Sequence, residues 1–139
     1  MRFVSLKSEA QFDLQVLHRA RERLVLARTA VINQLRAVPL ERGIVFPKGR
    51  VLLMRRLDAI GTANLAVGAR TRTLVKDLIE ECAEFDRRVG AYEEEFATVA
   101  RDDAQARRLS SIPGVGVINA TALLAAVGDG SAFARGSAP

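Results

Sequence analysis

The chain reads as all-α: a long antiparallel, coiled-coil-like helical pair followed by a partial helix-hairpin-helix unit. Three observations predict this. Ala, Leu, Val and Arg dominate the 139 residues and there is no Trp, a balance that favours helices. Two long stretches repeat apolar residues in alternating steps of three and four. Ile112-Pro113-Gly114-Val115-Gly116 then punctuates an otherwise helical C-terminal part.

The elements follow in order. Residues 2–6 read as a short strand or an extended lead-in, and no partner strand follows. Ser8-Glu9-Ala10-Gln11 matches a capping box, with Ser8 as N-cap and Gln11 at N3. The helix it opens is predicted to run to about Val38. Pro39 kinks or ends it, and Gly43 gives a second stop. Leu14, Leu17, Arg21, Leu24, Arg28, Val31, Leu35 and Val38 form its seam. The two seam arginines either lay their stems along the apolar face or turn toward an acidic partner or nucleic acid. Residues 44–49 are predicted to be a loop with an apolar plug. Residues 50–60 form a short helix with Leu53, Leu57 and Ile60 on one face, and 61–69 are weakly determined.

A second long helix is predicted from Thr71 to Val99. Val75, Leu78, Cys82, Phe85, Val89, Tyr92, Phe96 and Val99 alternate without a miss. Such a stripe must be buried against another helix. The first long helix is the obvious mate, and a second protomer is the other source. Asp102 or Asp103 caps a short helix ending near Leu109. The hairpin follows, then a helix from Val117 to Val127 closed by Gly128-Asp129-Gly130. Residues 131–139 are expected to fray.

The net charge is +5, which allows a nucleic-acid partner without demanding one. Residues 1–50 hold 10 Lys/Arg against 4 Asp/Glu, so the basic surplus sits away from the hairpin. A single cysteine excludes an internal disulfide and fits a reducing compartment. No signal pattern or membrane-length apolar run is visible. A cytoplasmic protein is expected, nucleoid-associated when bound to DNA.

The chemistry concentrates at the hairpin. Gly114 and Gly116 can take positive φ and let a ligand approach the backbone, while Val115 lies between them. The helix behind them presents unpaired N–H groups and a positive dipole end. That combination grips a phosphate without reading a base. The alternative is an ordinary turn between helices. Arg107 and Arg108, one turn earlier, add charge-assisted phosphate contacts or are merely solvated. Asn119 and Thr121 add side-chain hydrogen bonds to the same phosphate or simply face solvent.

Elsewhere the blander readings prevail. His18 is expected to be an ordinary exposed side chain, Cys82 a core residue and Glu93-Glu94-Glu95 a solvated face. Ser110 and Ser111 have no visible base and end the first hairpin helix. No metal-ligand spacing or nucleotide-binding glycine pattern exists, so no metal or catalytic residue is assigned. By its own residues the chain does not look like an enzyme.

Several blocks together resemble one family. They are residues 4–11, His18 to Val25, Arg28-Thr29, Asn33 to Arg36 and Glu41 to Ile44. Arg107-Arg108-Leu109 then leads into the hairpin, with Thr121-Ala122-Leu123 and Ala126 to Asp129 behind it. The chain resembles the middle of transposases of the insertion-sequence-110 type, also described as Piv-like or DEDD transposases. The resemblance implies a RuvC-like domain with four catalytic acids, a coiled-coil segment and a C-terminal transposase domain with a catalytic serine. It also implies DNA transposition and recombination directed by a guide RNA.

The acids fall before Met1 and the serine after Pro139, so neither is carried onto this chain. Any divalent metal would belong to the RuvC-like domain. The resemblance divides the chain into 1–7, a remnant of that domain's last strand region; 8–100, the helical linker; and 101–139, the start of the transposase domain. It departs at Gly136-Ser137-Ala138-Pro139 and at Pro39. The expectation is a truncated piece that binds DNA and a guide RNA and self-associates, or forms mixed oligomers with full-length transposase, without cutting. The alternatives are a helical interaction protein without a DNA role and a dominant-negative regulator.

Overall fold

The computed structural model describes residues 6–128. Five helices account for most of them: α1 (Glu9–Leu40), α2 (Arg50–Ile60), α3 (Ala69–Asp102), α4 (Ala104–Ser110) and α5 (Val117–Val127). A single 3-10 turn, Thr62–Asn64, follows α2. Among the described residues there is no strand, so the fold is all-α. The strand or lead-in expected at 2–6 and the closing residues from Asp129 onward lie almost wholly outside the described residues.

α1 starts as its sequence dictates. The Gln11 backbone N–H donates to Ser8 Oγ at 3.2 Å, and the Ser8 N–H donates to Gln11 Oε1 at 3.0 Å. These reciprocal bonds satisfy two donors that a helix start leaves unpaired. The other end closes in a Schellman motif. Gly43, at φ +77°, donates to Leu40 O at 2.9 Å, and Ile44 donates to Pro39 O at 3.1 Å. Pro39 therefore sits in the last turn and ends the helix without breaking its interior.

The described residues form two compact units. Residues 23–88 make one of them. Its core gathers Ile32 and Leu35 of α1, Phe46 of the connecting loop, Leu53 and Leu57 of α2, and Val75, Leu78 and Cys82 of α3. Phe46 is the apolar plug. Asp86 of α3 joins the three helices, accepting from Arg28 of α1 at 2.7 Å and from Arg50 of α2. The seam arginine thus reaches an acidic partner inside its own chain.

The other unit holds residues 6–22 with 89–128. Here α1 and α3 run antiparallel: His18 lies on Phe96, and three residues later Arg21 pairs with Glu93 at 2.6 Å. Leu14, Phe96 and Ala125 form its centre, with Leu17, Tyr92, Val99, Val117, Ile118 and Leu124 around them. Asp103 caps α4, accepting from the Gln105 and Ala106 N–H groups at 2.9 Å each. Asp102, the other candidate cap, is the last residue of α3.

α5 lies along the start of α1. Thr121 meets His18, and Gly128 meets Gln11. Gly128 is at φ +67°, and a Cβ there would stand 2.6 Å from Gln11 Nε2. Its backbone conformation favours glycine, while the end of the flexible Gln11 side chain would have to move aside for a Cβ.

Candidate nucleic-acid interface

The hairpin between α4 and α5 is a type II turn. The Val115 N–H donates to Ile112 O at 3.0 Å, Pro113 takes the second position, and Gly114 the third at φ +86°. Gly116 corrects the expectation of two left-handed glycines. It has φ −80° and ψ 173°, an extended conformation open to any residue. It is the N-cap of α5, and its carbonyl accepts the first helical bond, from Ala120 N at 2.9 Å.

No side chain caps α5. The N–H groups of Val117, Ile118 and Asn119 therefore lead the helix without intrahelical partners. The mouth of the turn is open: a Cβ built on Gly114 or on Gly116 meets nothing within 4 Å. Asn119 is exposed in the first turn, and Arg107 and Arg108 are exposed in the last turn of α4. Among the described residues, no ion pair engages either arginine. The structure places Arg107, Arg108, Gly114, Gly116 and Asn119 on the surface, with Val115 half-buried between the glycines.

Thr121 departs from the sequence expectation. It is fully buried, and its hydroxyl donates back to Val117 O at 2.8 Å. A side chain so placed cannot reach a phosphate at the helix start. Its burial follows from α5 packing on α1 and α3, which sequence spacing alone does not reveal.

His18 departs as well. It is half-buried, not exposed, and stacks on Phe96 with ring centroids 3.9 Å apart and planes within 5°. Its Nε2 lies 3.0 Å from Thr121 Oγ1. The Thr121 hydroxyl points its proton at the α5 carbonyls, Val117 O at 2.8 Å and Ile118 O at 3.2 Å, and on that basis the imidazole is assigned as the donor, through Nε2–H. Burial, and then the positive charge of Arg21, hold its pKa below the ordinary histidine value.

The serines end helix α4 as the sequence predicts. Ser110 Oγ donates to Ala106 O at 2.8 Å, and Ser111 Oγ to Arg108 O at 2.7 Å. Among the described residues no group of His, Cys, Asp and Glu could hold a metal ion. They do not fit the divalent ion that the resemblance assigns to acids elsewhere. No described helix is long and apolar enough to cross a membrane.

Comparison with known proteins bears on the family of the chain. The model of the IS116/IS110/IS902 transposase family matches residues 106–138, the stretch that holds the hairpin. Across nearly all of its length the chain is similar to three curated proteins. It is 39% identical over 137 residues to a transposase for insertion sequence element IS1111A of Coxiella burnetii, covering 97% of this chain and 37% of that protein. It is 34% identical over 138 residues to a probable family 20 transposase of Pseudomonas aeruginosa, covering 98% and 41%. The third is a transposase for IS1328 of Yersinia enterocolitica, 32% identical over 133 residues, covering 96% and 39%. The chain therefore spans well under half the length of these relatives. No solved structure matches it.

Proposed function

Since this chain belongs to the IS116/IS110/IS902 transposase family, we propose that it is a nucleic-acid-binding segment whose hairpin holds one backbone phosphate. In this reading it positions DNA for transposition and contributes no cutting residue of its own. A structured guide RNA offers the same phosphate chemistry and is the second polyanion the turn would accept.

The observation that carries the reading is Gly116. The backbone there does not require glycine, a Cβ would meet nothing in the chain, and no side chain caps the amides behind it. Those amides open α5 just after the turn, and α4 before the turn carries two exposed arginines in its last turn, a set of groups suited to an anion. General attraction comes from Arg19 and Arg23, exposed one turn apart on α1, since Arg21 and Arg28 are spent on Glu93 and Asp86.

Gly116→Asp tests the reading because its two effects should have opposite signs. The new carboxylate can cap α5, so stability holds or rises by a few tenths of a kcal/mol. Duplex affinity should nonetheless fall about tenfold or more, because the carboxylate occupies the amides and repels phosphate. Unchanged binding in a gel-shift series at low salt would remove the hairpin from the interface.

Self-association is the second part of the reading, and it draws on a different surface from the seam. Val75, Cys82, Val89 and Phe96 are already buried by their own chain. Among the exposed apolar side chains, Phe12 and Val16 lie one turn apart on α1, 59% and 45% exposed, and we take this pair as the face for a second copy. Sedimentation should show Phe12→Glu with Val16→Glu shifting the chain toward monomer. An unchanged profile counts against this face.

A further inference from the structure

We propose that His18 is a positioning residue for the phosphate-binding turn: through Thr121 it fixes the first turn of α5 against α1 and α3. The proposal rests on the reading of the hairpin given above.

α5 packs on α1 and α3 through Leu124, Ala125, Val117 and Ile118. Such contacts hold a helix close but are non-directional, and leave its slide and roll weakly specified. The His18–Thr121 bond supplies direction. Nε2–H donates to Thr121 Oγ1 at 3.0 Å, and that hydroxyl donates to Val117 O at 2.8 Å. Val117 is the first residue of α5 and carries one of the leading amides. The chain of bonds therefore ends at the residue next to Gly116.

The imidazole is itself held. Its face lies flat on Phe96, which is fully buried, so the ring plane is set by α3 while its Cα belongs to α1. One side chain thus ties three helices to the hydroxyl hub. The chemistry asks for a flat ring with an N–H on its edge. Phenylalanine would stack without donating, and glutamine would donate without stacking. A site held by locked supporting groups keeps its ligand-facing amides in one place.

The experiment compares His18→Phe, His18→Gln, Thr121→Val and the double variant His18→Phe/Thr121→Val in the full chain. Two readouts are used: amide exchange at Ala120 to Leu124, and affinity for a short DNA duplex of arbitrary sequence. His18→Phe and Thr121→Val should each speed α5 exchange about fivefold and weaken the duplex about fivefold, the worth of one hydrogen bond. Exchange in residues 89–99 of α3 should not change. The double variant should match either single one, because both remove the same link. His18→Gln keeps a donor but loses the ring stacked on Phe96, so in both readouts it should fall between the parent and His18→Phe.

Unchanged α5 exchange in His18→Phe and in Thr121→Val overturns the proposal, as does a double variant whose effects multiply. Normal duplex binding by both single variants also overturns it, provided Gly116→Asp abolishes binding. If Gly116→Asp binds normally, the phosphate reading fails instead, and the exchange result alone decides whether His18 positions α5.

Discussion

Gly114 and Gly116, separated only by Val115, play different parts. Gly114 occupies the left-handed region, where an L side chain is disfavoured by about 1 kcal/mol. Gly114→Ala should therefore lower the unfolding free energy by roughly that amount, measurable by urea titration. Gly116, in an extended conformation, is free of that penalty. His18 gives a second residue-scale prediction. Its pKa is held below the ordinary value of 6.5 by burial and by Arg21. The unfolded chain therefore binds the proton more readily. The contribution of the neutral ring is complete above the unfolded value and is lost as pH falls through the folded one. Thermal unfolding should show stability declining below pH 6.5, and His18→Phe should remove that part of the slope. A slope identical in the variant would assign it to carboxylates.

At the scale of elements, ion pairs decide how helices meet. Asp86 serves Arg28 on α1 and Arg50 on α2, and Arg28 is only 18% exposed. Asp86→Asn removes both pairs and leaves a mostly covered guanidinium without its carboxylate. Because the site is partly wetted, the expected loss is about 1–2 kcal/mol, smaller in high salt, measured by urea unfolding across a salt series. Cys82 reports on the same unit. Its thiol is fully buried, and burial, with Asp86 nearby, raises its pKa. Thiol-labelling reagent should react with it only as residues 23–88 open, and a rate matching that of the unfolded chain would contradict its placement in the core.

For the molecule as a whole, the question is how the surplus charge is used. Arg107→Gln and Arg108→Gln should each lower affinity on every duplex sequence alike and reduce the slope of log affinity against log salt by about 1. A loss confined to one sequence would point to base readout instead. Much of this molecule was legible beforehand. The Ser8–Gln11 box, the seam through Val75 to Val99, the plug at Phe46 and the two hairpin helices all follow from short-range pattern. α3 merely extends past both expected ends, from Ala69 to Asp102. Boundaries slip because a frayed turn costs little. Of the candidate site, the turn and the exposed arginines beside it are legible in the sequence, while the inward placement of Thr121 and His18 is not. His18 carried a signal, since it lies four residues after Leu14 and three before Arg21, on the inward side of α1.

By itself the sequence determined the helices, their caps and seams, the turn and the family, because each is encoded by residues near one another or by an unbroken likeness along the chain. Only the tertiary structure decided that Arg21 and Arg28 answer Glu93 and Asp86, that Thr121 turns inward, and that His18 lies between Phe96 and Thr121. The reason is physical. Helical periodicity says which face of a helix is buried, but not which residue on a distant helix stands opposite it. His18 and Thr121 are 103 residues apart in sequence, and only packing brings them to hydrogen-bond distance.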